Sequence, residues 1–246
     1  EALRAAGYRT ALYGKWHLGA ARDSGPTTQG FDEFFGLRGG FIDNYNHYFL
    51  HGSGFYDLYE KTKEVHAKGK YFPEMMTDRA LSFIEKNKDK PFFCYVPHAF
   101  VHGPRRARPE FMAKAKTVEE AQVEECDWSA GQILDAVRKA GIEKDTFVLF
   151  TSDNGAAKRF DGVHNSCGVM QGHKRSLNEG GIRVPMVVRW PGKIKAGSSS
   201  DQVICLNDLF ATCADLLGKD LPPDAAEDSV SILPALLGKA KAPVQL

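Results

Sequence analysis

Val148-Leu149-Phe150-Thr151-Ser152-Asp153-Asn154, followed by Gly155, is the stretch on which the fold turns. Four apolar residues, Phe147 to Phe150, run without interruption into Thr151, Ser152, Asp153 and Asn154. A continuous apolar run predicts a strand covered on both faces, as in the middle of an α/β sheet. Polar side chains that begin abruptly at the carboxyl end of such a strand stand where open α/β sheets place their sites. Asp153 and Asn154 offer a carboxylate and an amide oxygen, hard donors suited to calcium or magnesium. Gly155 lets the chain turn away sharply without a Cβ. On composition alone an Asp-Asn-Gly turn without a ligand is the favoured reading. The rest of the chain decides between the two.

Outward from this stretch, strands and helices alternate. Residues 1–6 predict a helix stopped at Gly7, and Thr10 to Tyr13 a short strand running into Gly14-Lys15-Trp16-His17-Leu18-Gly19. From Gly25 to about Tyr71 the chain is rich in Gly, Asn, Phe and Tyr with little periodicity, which predicts a long loop region of the functional kind. Glu74 to Asn87 predict a helix with Met76, Ala80 and Ile84 on one face. Pro91 to Val96 predict a second buried strand, ending at Pro97-His98-Ala99-Phe100-Val101-His102-Gly103-Pro104. Val118 to Ala140 predict a long helix with Ala130, Ile133, Leu134 and Val137 at core spacing. Residues 155–183 read as a loop and Val184 to Arg189 as a strand. A last helix carries Leu209, Cys213, Leu216 and Leu217, capped by Asn207 or Asp208 and stopped at Gly218. Such alternation predicts an α/β layered sheet.

Composition narrows the classes. With 246 residues the chain suffices for one large domain or two small ones, and 43% hydrophobic with 26% charged residues is ordinary for a globular protein. A net charge of +1 argues against general attraction to nucleic acid or to an anionic membrane. Five scattered cysteines without a C-x-x-C pair support neither a zinc site nor a disulfide framework. No apolar stretch is long enough to span a bilayer. The opening at Glu1, without an initiator Met and within a helical pattern, predicts a fragment.

Four clusters follow predicted strands: Lys15 with His17, His98 with His102, Asp153 with Asn154, and His173 with Lys174. Strand-end placement would bring them to one rim. Ammonium groups, imidazoles and hard oxygens together suit a tetrahedral oxyanion ester, since cations neutralise charge on the transferred group and the leaving oxygen. Taken singly, each has a structural reading. Six residues separate Gly7 from Gly14 and Trp16 follows Lys15, so this is no nucleotide-binding loop. His98 and His102 lack the intervening glutamate of a zinc helix, and Pro97 and Pro104 argue against a helix there.

In order along the chain, these motifs resemble the sulfatase family, the arylsulfatase-like branch of the alkaline-phosphatase-type superfamily. Gly14-Lys15-Trp16-His17-Leu18-Gly19 is similar to the family's G-K-W-H-L-G segment, and residues 30–36 to the segment after it. Val101-His102-Gly103-Pro104, Thr151 to Gly155, Gly172-His173-Lys174, and the run from Glu179 to Gly192 resemble its later signatures. The resemblance implies a mixed, largely parallel central sheet with helices on both faces, in a single α/β domain over residues 1–246 that is truncated at both ends. It implies that Asp153 and Asn154 hold a divalent cation, normally Ca2+. It implies that Lys15 bridges the sulfate and the nucleophile's oxygen, that His17 helps release sulfate, and that His102 and Lys174 hold the sulfate, with His102 protonating the leaving alcohol. His98 would stand behind them.

The family's nucleophile is a formylglycine made from Cys or Ser in a C/S-x-P-x-R motif, and no Cys or Ser of this chain begins that motif. The early Asp-Asp pair that completes the family's metal site is also missing, and the family's small carboxy-terminal antiparallel subdomain is not evident. The expectation is therefore a sulfuric ester hydrolase fragment without turnover of its own, whose full-length parent needs a formylglycine-generating enzyme. Its substrate would be a sulfated small molecule or glycan. Asn44, Tyr45, His47, Tyr48 and His51, on the loop 38–72, suit a carbohydrate rim. Location by resemblance is periplasmic or secreted, or lysosomal in a eukaryote. Two alternatives stay open: a phosphomonoesterase or phosphodiesterase of the same superfamily, and a nonenzymatic remnant that binds sulfated glycans.

Overall fold

The computed structural model describes residues 1–21, 23–49, 54–158, 164–222 and 224–240. Its contacts divide the chain into two compact units, Glu1–Ile142 and Glu143–Leu246.

The first unit is built on a five-stranded mixed sheet. After a short helix α1 (Ala2–Ala5) come β1 (Arg9–Lys15), β2 (Glu33–Leu37), the hairpin pair β3 (Tyr59–Glu60) and β4 (Lys63–Glu64), then α2 (Phe72–Asn87) and β5 (Phe92–Tyr95). Helices α3 (Pro109–Met112) and α4 (Val118–Lys139) complete it. Strand order is β4-β3-β2-β1-β5, with β1 parallel to both β2 and β5, and β2-β3-β4 antiparallel. The mixed α/β class predicted from sequence holds.

Alternation along β1 explains how the sheet is covered. Ala11 and Tyr13, with Phe35 and Leu37 of β2, face a core that includes Phe72, Met76, Ala80 and Phe83 of α2. Leu12 and Phe34 point the other way and pack with Trp16, Phe31 and Tyr59. Burying such a side chain contributes about 1.5–3 kcal/mol, so the two clusters dominate the unit's stability. Helix α2 begins at Phe72, two residues before the Glu74 expected, because Pro73 is preorganised for the first helical turn. Thr117 caps α4, its hydroxyl accepting from Glu120 N–H at 3.2 Å.

The long loop expected from Gly25 to Tyr71 is only partly a loop, since β2, β3 and β4 lie within it. Strand β2 escapes a periodicity reading because it is five residues long and interrupted by Gly36. Pairing to β1 makes it a strand, and that pairing needs the glycine: a Cβ there would stand 1.8 Å from the Gly14 carbonyl oxygen.

In the second unit, β6 (Val148–Thr151) pairs antiparallel with β7 (Met186–Arg189), with α5 (Glu179–Ile182) between them in sequence. Phe150 is 45% exposed and Val187 63%. Among the described residues β6 is thus not the doubly covered strand its apolar run predicts: it pairs with β7 alone, and this two-stranded ribbon does not cover Phe150. Helices α6 (Asp208–Leu216) and α7 (Leu233–Leu236) follow. Asp208 does not act as a helix cap. Its buried carboxylate accepts from Cys205 N–H at 2.7 Å and Val230 N–H at 3.0 Å, pinning the segment before α7 to the start of α6.

Candidate active site

Parallel pairing places the carboxyl ends of β1, β2 and β5 at one rim. Leu12 pairs with Tyr95 and Lys15 with Leu37, so Lys15 ends β1 level with the start of the loops after β2 and β5. Backbone bonds continue the register beyond the strands: Lys15 N–H donates to Pro97 at 2.9 Å, Trp16 N–H to Leu37 at 2.9 Å, and His17 N–H to Arg38 at 3.1 Å. Gly14 permits this approach, because a Cβ would lie 2.1 Å from the Pro97 oxygen. His17 adopts φ 54°, the left-handed region that residues with a Cβ avoid.

His102 sits on the loop after β5. Its Nδ1 lies 2.9 Å from the Gly103 carbonyl, which can only accept, so Nδ1 carries a hydrogen and proton exchange falls to Nε2. The ring stacks on Phe41 with centroids 4.8 Å apart and planes at 17°. Gly40, the neighbour of Phe41, approaches His17 so closely that a Cβ would stand 2.9 Å from the imidazole Cε1. Lys15, His17 and His102, singled out from sequence, are therefore gathered by one rim and by one turn after β2.

His98 on the same loop is different in kind. Its Nδ1 is buried without a hydrogen-bond partner, and burial holds its pKa down to about 4, so the ring is neutral near pH 7. Burial likewise pushes the Cys94 thiol up to about 12, which removes it as a nucleophile.

Within the second unit the turn after β6 packs on the glycine-rich segment 171–181. Gly155 N–H donates to Gly181 at 3.0 Å, and a Cβ on Gly155 would lie 1.9 Å from the Gly180 oxygen. Lys174 N–H donates to Ala156 at 2.7 Å. Lys174 is thus fixed beside the turn that carries Asp153 and Asn154. Neighbouring His173 uses Nδ1 at 2.9 Å from the Lys174 carbonyl, a bond that shapes the loop.

Of the predicted carbohydrate rim, Asn44 and His47 are buried, 2% and 0% exposed. His47 is structural: its Nε2 lies 3.0 Å from the Lys70 oxygen and its Nδ1 3.2 Å from the Tyr56 hydroxyl. Tyr48 is exposed, and Tyr45 lines an open cleft of about 690 Å³ with Lys70, Arg79 and Arg108. His51 lies outside the described residues. Sequence reading missed Gly40, Phe41 and Asp57. Gly40 and Phe41 fall next to the β2 end, and recognising that strand would have drawn attention to them.

The family model Sulfatase matches residues 1–219. The chain belongs to the sulfatase family. N-acetylgalactosamine-6-sulfatase of Mus musculus is 35% identical over 260 residues, covering 96% of this chain and 48% of that protein. N-acetylgalactosamine-6-O-sulfatase of Bacteroides thetaiotaomicron is 37% identical over 177 residues, covering 68% of this chain and 34% of that protein. Among solved structures, Ps i-CgsB in complex with k-i-k-neocarrahexaose superposes with a TM-score of 0.83 at 28% identity, covering 94% of this chain and 55% of that one. The chain spans about half the length of the curated relatives it matches.

Membership of the sulfatase family implies a divalent cation. Asn154 turns its amide N–H onto the Gly155 carbonyl at 3.0 Å, which leaves Oδ1 as its acceptor, and Asp153 is exposed. A carboxylate with an amide oxygen fits a hard divalent cation as part of a ligand set. No group of three or more ligating side chains forms among the described residues. No helix among them is long and apolar enough to cross a membrane.

Proposed function

We propose that the protein to which this sulfatase chain belongs is a sulfuric ester hydrolase acting on a sulfated sugar, and that its two units are parts of one catalytic domain. A single family match running through both units supports the second statement. The observation that carries the first is the convergence of Lys15, His17 and His102 on one rim, by parallel register and a shared turn.

In this reading Lys15 neutralises charge on the sulfate and on the attacking oxygen. His102, its Nδ1–H anchored on Gly103, donates the Nε2 proton to the departing alcohol, which then need not leave as a bare alkoxide. His17 takes the proton that must leave for sulfate release, and Lys174 holds the sulfate and bridging oxygen. Asp153 and Asn154 would hold calcium. When bound, it polarises the sulfate oxygens. Formylglycine, which this chain's motifs do not supply, provides the attack at sulfur. The named relatives point to an N-acetylgalactosamine 6-sulfate or a related sulfated glycan as substrate. A periplasmic, secreted or lysosomal location, and maturation by a formylglycine-generating enzyme, belong to the same proposal.

The test is sulfate release by the full-length parent, co-expressed with that enzyme, from a chromogenic aryl sulfate and from 6-O-sulfated N-acetylgalactosamine. Release that collapses in Lys15→Ala and His102→Ala is expected. Phosphate release instead would indicate a phosphatase, and no release from a folded parent would indicate a glycan-binding remnant.

A further inference from the structure

One buried carboxylate holds the turn that touches both rim imidazoles. Asp57 is 1% exposed and accepts two successive backbone N–H groups, Arg38 at 3.0 Å on Oδ1 and Gly39 at 2.8 Å on Oδ2. The same turn reaches His17 twice, through the Arg38 carbonyl at 3.1 Å and through Gly40 against the ring. It reaches His102 through Phe41, which also stacks on Phe49 at 4.9 Å. Asp57 is itself tied down, its N–H donating to the His47 carbonyl at 2.9 Å, while the next residue, Leu58, is fully buried. Burial raises the Asp57 pKa, and the two N–H bonds oppose that rise. Taking a carboxylate out of water is costly unless it is paired and hydrogen-bonded, and two N–H groups side by side call for a two-oxygen acceptor. His17, in its left-handed conformation, also needs such a hold.

We infer that Asp57 is a positioning residue for sulfate ester hydrolysis: it clamps the Arg38–Phe41 turn, which sets the His17 ring through Gly40 and the His102 ring through Phe41. The inference rests on the sulfatase reading above. Asparagine at this position keeps one acceptor and turns an NH2 group on the second N–H, so the turn shifts while the side chain's volume stays.

The experiment compares Asp57→Asn, Gly40→Ala and the control Asp208→Asn in the active full-length parent, following kcat, KM, the pH profile of kcat and melting. Asp208 is also a buried carboxylate accepting two backbone N–H groups, those of Cys205 and Val230 in the second unit. Asp57→Asn should lower kcat about tenfold to a hundredfold with KM changed much less, as expected for misplaced reacting groups. It should also move the alkaline limb of kcat, where a protonated general acid is lost, whereas Asp208→Asn should leave that limb in place. Gly40→Ala, which must push the His17 ring aside, should lower kcat as well, and it serves as the test if Asp57→Asn does not fold. An unchanged kcat in folded Asp57→Asn or Gly40→Ala overturns the inference, as does an equal shift of the limb in Asp208→Asn. Imidazole NMR resonances of His17 and His102, compared between wild type and Asp57→Asn, separate this failure from that of the sulfatase reading. Displaced resonances in a parent that hydrolyses no sulfate ester would retain the clamp and overturn its catalytic meaning. Undisplaced resonances would overturn the clamp itself.

Discussion

Replacing His98 by Asn removes an imidazole that the fold keeps neutral. The Nδ1 atom is buried without a partner, and burial lowers the pKa from an ordinary 6.5 to about 4. As pH falls below 6.5, the unfolded chain takes up a proton that the folded chain refuses until about pH 4. Stability from this group is therefore complete above about pH 6.5, is lost as pH falls toward 4, and is constant below that. Between about pH 7 and pH 4.5 the loss integrates to about 2.5 kcal/mol. That figure is an upper bound, because His98 as a whole is only partly buried and solvent screens part of the charge. Urea unfolding of wild type and His98→Asn, followed at both pH values, measures it. The fall in unfolding free energy from the higher to the lower pH should be smaller in the variant by 1–2.5 kcal/mol, about the full effect or half of it. Equal falls in the two proteins would refute the reasoning, since they would mean that the imidazole protonates in the folded state as readily as in water.

Two further outcomes follow from packing and from charge. Gly36→Ala places a Cβ 1.8 Å from the Gly14 carbonyl oxygen, where only backbone movement can make room. It should cost about 2–4 kcal/mol by urea titration, and a loss under 1 kcal/mol would show that β1 and β2 separate easily. Calcium should raise the melting temperature of this chain very little, because Asp153 and Asn154 are only part of a ligand set, and that of the full-length parent clearly. Equal shifts in the two would refute that account of the metal.

Much of the fold was legible because its signals are local. Helices α2 and α4 follow from apolar spacing, while the start of α2 at Phe72 and the Thr117 cap of α4 emerge only in the structure. Strands β1 and β5 follow from apolar runs, although β1 extends to Lys15, two residues beyond Tyr13, because its end is set by pairing with Leu37. Strand β2 was not legible, because a short run broken by Gly36 becomes a strand only against Gly14. The aromatic loop was misread in part: Asn44 and His47 have the polarity of a sugar-binding rim but are buried, which no linear pattern reveals.

By itself the sequence determined the family, through motifs whose order and residue types the chemistry of a sulfate ester demands, and it named Lys15, His17, His102, Asp153, Asn154 and Lys174 as candidates. Only the tertiary structure decided how they are held. Parallel register sets Lys15 beside Pro97, the turn after β2 joins His17 to His102, and Asp57, 17 residues beyond Gly40, closes that turn. Such contacts join residues far apart in the chain, and they depend on backbone geometry at glycines and on burial. Neither quantity is written in the spacing of side chains along a sequence.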